Sequence, residues 1–510
     1  MYGPDETPSS PDPWQDPKPR ATPSDAQSRF AAGMDPPRYA PGSRDIPNLR
    51  GPDGPRPKTG IDHLRAAIAW TLILGCTVVL IFMQSDGMAQ VQEQAAKDTR
   101  PGFNALYLAR YAVGMDQLMP GQGGQVLPAY RETVAGSPHV LENQTRLAIL
   151  AVEITPAQQS INEIEALRIA NDHLSPADFS PEAVDDAELV LRIYDENYTP
   201  TAAERDGLIT RHGWFGEVAA TYNLPKQNAK RKSPRNSGMV VVISLLSLFG
   251  LLILSLFGGL VLLIVFIVLL SIGKMRLHGP RGPAGHRTAY LEATALFLVL
   301  FIGLQLLLGL VQHFTGTDMT LAMLVGVAAA LLWPVVVGVP WSRFRAEMGY
   351  DTGQGLFKEL GLGIVGYLAG LPVIAVGFGL TFILTAVAGG EGGDHPMQYE
   401  LMDGGYKLWL TLGGAVIWAP LVEESVFRSA FYRHIRQRRG VLGWILASVI
   451  TAFIFAAIHP QGWVGVPVLM SIAIVFAAMR EWRGTIVPSM VAHALHNGTL
   501  AVMMGIILFA

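Results

Sequence analysis

Residues 239–273 read MVVVISLLSLFGLLILSLFGGLVLLIVFIVLLSIG, thirty-five positions without a charge. At 1.5 Å per residue, a helix of this length exceeds a hydrocarbon core of about 30 Å. The stretch therefore reads as one long, tilted span, with Gly258-Gly259 as the expected kink. Working outward, one further apolar run precedes it, Leu64 to Met83. Seven follow: Tyr290 to Val311, Met319 to Pro340, Leu360 to Ala388, Leu408 to Val422 and beyond, Val441 to Ile458, Trp463 to Ala478, and Thr485 to Ala510. The expected fold is all-α, a polytopic membrane helix bundle of about nine spans with a soluble helical domain inserted after the first.

Composition agrees with this reading. Of 510 residues, 50% are hydrophobic and only 15% charged, well under the roughly 25% usual for soluble domains. A net charge of -3 supplies no basic field, which sets nucleic acid aside as a partner. The single cysteine, Cys76, permits neither an internal disulfide nor a cysteine-based zinc cluster. Any chemistry must come from His, Glu, Asp or hydroxyls.

Five segments follow. Residues 1–62, rich in Pro, Gly, Ser and charge, read as a disordered tail. Residues 63–83 form the first transmembrane helix, which lies too far into the chain and is too long for a cleavable signal. Residues 84–238 return to soluble composition. Their helix starts are Thr155-Pro156, Ser175-Pro176, Ser180-Pro181 and Thr199-Pro200, with capping boxes expected from Thr155 to Gln158 and from Thr201 to Glu204. Leu147, Leu150, Ala151 and Ile154, and then Ile161, Ile164, Leu167 and Ile169, are the expected core stripes. No nucleophile or metal constellation stands out here, so a scaffold or a surface for a protein partner is the expected role. Residues 239–400 hold the preceding membrane helices, and 401–510 the membrane core that carries the chemistry.

With the N-terminus cytoplasmic, the short inner loops hold Lys274, Arg276, Arg281, Arg287, Arg343, Arg345, Lys358, Arg433, Arg436, Arg438, Arg439, Arg480 and Arg483. The short outer loops hold only Lys407. That asymmetry fits the positive-inside rule and places residues 84–238 outside the cytoplasm. The basic stretch Lys226 to Arg235 runs against it, but it ends a loop long enough to be translocated regardless of charge.

A charge at a span's centre costs about 2.5–3.5 kcal/mol, so intramembrane ionisable groups are functional candidates. Glu424 and Arg428, four apart on one helix, can neutralise each other and support the structure. Glu423 points about 100° away and has no such partner, which makes it the candidate general base for activating water. His493 and Asn497, again four apart, can direct an imidazole and an amide donor at one developing oxyanion. His459, from another span, can act as a second base or as a metal ligand. His496 receives no role.

In their order, Glu423-Glu424-x-x-x-Arg428, Phe455-x-x-x-His459 and His493-x-x-x-Asn497 resemble the three motifs of the CPBP intramembrane endopeptidases. That group contains CAAX prenyl protease type 2 (the Rce1-like enzymes) and bacterial lysostaphin-resistance and bacteriocin-processing proteins. The resemblance covers roughly residues 405–505. It implies a helical bundle whose cavity holds Glu423 and His459 as the water-activating pair. It also implies His493 and Asn497 at the oxyanion, with Glu424 and Arg428 supporting the cavity and Phe455 a structural part of the second motif. The implied substrate is a membrane protein or peptide, and the implied place a bacterial inner membrane. Members are described both as metalloproteases and as metal-independent glutamate enzymes. A divalent ion such as zinc would take Glu423, His459 and His493. The H-E-x-x-H pattern is absent, and a Glu-His pair needs no further ligands, which favours activation without metal.

Depth raises a condition. His459 lies about 27 Å along a helix starting near Val441, whereas Glu423 and His493 lie about 10–15 Å from the inner surface. A seventh helix that begins deeper, or ends inside a cavity, would bring them together. The rival readings are a non-enzymatic scaffold that binds a client protein and a proton-coupled transporter. The transporter requires broken helices paired across both halves, yet the ionisable set occupies one half. Rhomboid-like chemistry lacks its G-x-S. Presenilin-like chemistry lacks G-x-G-D, since Asp394 follows Glu391-Gly392-Gly393.

Overall fold

A computed structural model describes residues 60–97, 99–135, 137–155, 157–173, 180–279, 287–388, 405–436 and 440–509. The tail to residue 59, the Ser175-Pro176 start, Pro156, the side chain of Gln158, the loop around Asp394, and Arg281, Arg438 and Arg439 lie outside the described residues. The described residues are helical without strands and belong to one compact unit, Pro52–Ala510. The chain is an integral membrane protein.

Helix α1 (Gly60–Lys97) starts within the last three residues of the expected tail and carries the first span, Gly60–Met83. The soluble domain follows as α2 (Phe103–Leu118), α3 (Leu127–Val134), α4 (Val140–Ile154), α5 (Ala157–His173), α6 (Pro181–Asp195), α7 (Ala202–His212) and α8 (Trp214–Ala220). Ser180 caps α6, its hydroxyl accepting from the Ala183 N–H. Thr201 and Glu204 close a reciprocal capping box on α7, so that helix begins after the Thr199-Pro200 pair. The α4 stripe Leu147, Leu150, Ala151 and Ile154 is buried in the domain core. The α5 stripe is corrected. Leu167 is buried, but Ile161 and Ile169 are exposed, because positions 167 and 169 lie about 200° apart on a helix and cannot share a face.

Buried Asp186 accepts hydrogen bonds from Arg211 at 2.6 Å and lies 3.0 Å from His212 Nε2. Burial alone would raise the Asp186 carboxyl, but the bonds from Arg211 and His212 outweigh it and hold the group below its ordinary 3.8. Burial pushes the His212 imidazole below 6.5. Both shifts have one sign: the unfolded chain binds protons that the folded domain refuses. Stability is therefore full above about pH 6.5 and falls on acidification, first through His212 and then, below about 3.8, through Asp186. Thermal melting of the detergent-solubilised chain is expected to show this loss, with the lower step removed by Asp186→Asn. A melting temperature that rises between pH 7 and 4 would contradict it.

Helix α9 (Ala229–Ser271) is the long apolar stretch. It begins in the soluble domain and continues unbroken for 43 residues. Gly258-Gly259 lies within this helix without interrupting it. A Cβ on Gly259 would lie 2.2 Å from the Leu368 carbonyl oxygen, so the glycine permits close helix crossing. Two cations of the basic run at the start of α9, Arg231 and Arg235, share Glu153 as their partner.

Next come α10 (Arg287–Thr315), α11 (Thr320–Val336), α12 (Trp341–Met348), α13 (Leu356–Val387), α14 (Gly405–Ile435), α15 (Val441–Ala457), α16 (Val466–Arg483) and α17 (Val487–Phe509). Of the nine expected runs, seven are helices long and apolar enough to cross a membrane. Met319 to Pro340 does not run straight: the chain turns by 119° between α11 and α12, where Gly338 has φ +97° and Pro340 follows. Val441 to Ile458 gives a helix of only 17 residues, about 26 Å long and short of a bilayer core. Among the described residues the candidate spans thus number seven, or eight counting the bent pair, plus one short apolar helix.

At the expected inner ends, buried acids answer several of the loop cations. Glu347 accepts from Tyr290 and pairs with Arg343 and Arg433. Glu481 pairs with Arg436, and Glu359 with Arg483. Glu292 joins Arg65 and Trp333, tying α1 and α10 to the chain before the bend. At the other end, Arg110 of α2 donates to the Ile507 carbonyl at 2.7 Å, and Leu508 packs on the soluble-domain core. The inserted domain therefore holds the C-terminal end of α17.

Candidate functional site

Helix α14 is not a regular α-helix. It widens into π-helical turns at Gly414–Trp418 and Ser425–Phe431, with Glu423 and Glu424 on the short α-helical piece between them. Such widened turns recur at functional sites, because they re-aim side chains that a regular helix would distribute evenly. Helices α10, α12, α15, α16 and α17 pack around this segment.

Glu423 Oε2 lies 3.9 Å from His459 Nε2 and 3.9 Å from His493 Nε2. The Glu423 side chain is 21% exposed, enough to be reached, whereas Glu424 is fully enclosed. The depth condition is met by the short α15, whose C-terminal end stops within the bundle and delivers His459 to Glu423.

Local bonds decide what each ring can do. His459 Nδ1 lies 2.5 Å from the Phe455 carbonyl oxygen, which only accepts, so Nδ1 carries the proton and Nε2 faces Glu423 with its lone pair. His493 Nδ1 lies 3.1 Å from Glu424 Oε1. As the carboxylate partner of Arg428 at 3.3 Å, Glu424 also only accepts, so this ring too has its proton on Nδ1. Two imidazole lone pairs and one carboxylate oxygen thus converge. Three facing acceptors require hydrogens between them, which one water or one added proton supplies.

Beneath them, the Arg428 guanidinium lies 4.3 Å from the centre of the Phe455 ring and 5.4 Å from that of Phe476. Phe455 also packs against His459, with ring centres 4.2 Å apart, and Phe476 stacks on His493 at 5.2 Å. This sandwich holds a buried cation and orients both imidazoles. The Asn497 amide nitrogen donates to the Ala415 carbonyl at 2.7 Å, in the first π-helical turn. One N–H of that amide remains for another acceptor.

The metal expectation does not fit this arrangement. Donors around a tetrahedral ion at about 2.0–2.1 Å sit about 3.4 Å apart, closer than the 3.9 Å spacings from Glu423 to the two imidazoles. Among the described residues, no group of three or more His, Cys, Asp or Glu side chains is placed to hold a metal ion.

Sequence reasoning missed Glu292, Glu347, Glu359 and Glu481. Only Glu347 carried a readable signal, its i,i+4 spacing from Arg343. It also missed the partner of His496, whose Nδ1 lies 3.2 Å from the Tyr367 hydroxyl of α13.

Compared with known proteins, residues 405–499 match the family model for type II CAAX prenyl endopeptidase, Rce1-like. No curated protein and no solved structure matches the chain.

Proposed function

We propose that the chain, whose residues 405–499 form an Rce1-like endopeptidase domain, hydrolyses peptide bonds of a membrane protein or peptide at Glu423. The observation that carries this reading is the convergence of His459 Nε2 and His493 Nε2 on one Glu423 oxygen, each at 3.9 Å. A water bonded at about 2.8 Å to both Glu423 and His459 gives a separation of this size. Glu423 takes its proton as the oxygen attacks the carbonyl carbon, and returns it to the leaving amine. His459, held by Phe455, orients the water. His493 and Asn497 face the oxyanion. With the His493 Nδ1 proton committed to Glu424, its Nε2 donates only when the ring is doubly protonated, a charge that the Glu423 carboxylate faces at 3.9 Å.

Glu424 and Arg428 hold the frame, and no metal enters the cycle. A bacterial inner membrane, a cytoplasmic N-terminus and a protein partner for the inserted domain complete the reading.

The test compares membrane peptides from cells carrying the native chain, Glu423→Ala, or the surface control Lys226→Ala. At least one peptide product is expected to vanish with Glu423→Ala alone. Identical peptide pools would overturn the proposal in favour of a non-enzymatic scaffold.

A further inference from the structure

His493, His496 and Asn497 share an arc of α17, with His496 about 60° to one side of His493 and Asn497 about 40° to the other. Each meets a different wall. His493 meets Glu423 and Glu424, Asn497 meets Ala415, and His496 meets Tyr367. The Tyr367 hydroxyl lies 3.2 Å from His496 Nδ1, with ring centres 6.2 Å apart at 69°.

This contact fixes a tautomer. A phenol is a far better proton donor than a neutral imidazole N–H, and an imidazole nitrogen is a far better acceptor than a phenol oxygen. Tyr367 therefore donates to Nδ1, which leaves the proton of neutral His496 on Nε2. His493 is set oppositely, its proton held on Nδ1 by Glu424. On one helix, three residues apart, stand an imidazole that must be charged to donate from Nε2 and one that donates there while neutral. In a low-dielectric site, a neutral imidazole donor can polarise a carbonyl without the cost of a second buried charge.

We propose that His496 Nε2–H is a hydrogen-bond donor to the substrate carbonyl oxygen, with Tyr367 as its positioning residue. This inference rests on the endopeptidase reading. As water attacks the carbonyl carbon and loses its proton to Glu423, the carbonyl π pair moves onto oxygen, which accepts the His496 Nε2–H bond without proton transfer. When the C–N bond breaks, that pair re-forms the carbonyl and the Glu423 proton passes to the amine.

The experiment uses the full chain in lipid nanodiscs, with [15N]histidine labelling and kinetics of the peptide cut that Glu423→Ala abolishes. The His496 resonances are expected to report the Nε2–H tautomer, and Tyr367→Phe to convert them to a mixture and slow turnover about tenfold. His496→Leu is expected to lower kcat about 10²-fold with little change in KM. His496→Gln, which keeps an N–H near the Nε2 position, is expected to recover most of that loss.

An Nδ1–H tautomer in the native protein overturns the proposal while leaving the endopeptidase reading intact. So do equal effects of Leu and Gln confined to melting temperature. If no cut depends on Glu423, both fall together.

Discussion

Glu423→Gln is expected to lower kcat by about 10²–10⁴-fold with KM nearly unchanged. The substitution preserves size and polarity but removes the basic carboxylate that both imidazoles face at 3.9 Å. Glu423 is partly exposed and does not form the pair with Arg428, so the variant should fold and insert as the native chain does. Melting temperature should therefore hold while turnover collapses, as measured by product formation and by differential scanning fluorimetry in detergent. A rise in KM with kcat preserved would assign Glu423 to binding instead.

Glu424→Ala is expected to act the other way, through the fold. Its carboxylate is wholly enclosed and is shared by Arg428 at 3.3 Å and His493 Nδ1 at 3.1 Å. Removing one partner of a buried pair leaves the other charge uncompensated, at a cost of about 3–5 kcal/mol. Arg428 cannot turn outward, because Phe455 and Phe476 enclose it. His493 loses the acceptor that fixes its ring. Lower yield, a reduced melting temperature and lost activity should appear together. Glu424→Gln, which keeps an oxygen for His493 Nδ1–H, should fall between alanine and native. Native-like stability of Glu424→Ala would refute the structural role.

The contrast between these neighbours was legible in the sequence because it is local. Spacings of one, three and four residues set directions around a helix, and those directions separated Glu423 from the Glu424–Arg428 pair. The membrane runs were legible for a similar reason, since apolar length alone sets whether a helix crosses.

Pairings between distant segments were not legible. Glu359 meets Arg483 across 124 positions, and Tyr367 meets His496 across 129, with no periodicity to announce either. The turn after α11 left Gly338 and Pro340 as clues inside a run whose hydropathy still read as one span. The π-helical turns of α14 were invisible because residue spacing presumes a regular helix. Asn497 shows the consequence. Its i,i+4 relation to His493 predicted a shared target, and it also holds the Ala415 carbonyl in the first of those turns.

Isotope incorporation addresses the claim that water is delivered to a peptide bond here. The purified native chain in bilayers is supplied with the peptide source whose product depends on Glu423, in H2(18)O. Mass spectrometry should find one heavy oxygen in the carboxyl terminus newly formed in each product, with none formed by Glu423→Gln. Product with no heavy oxygen at that carboxyl, or labelling of equal extent in the Gln variant, would contradict the account.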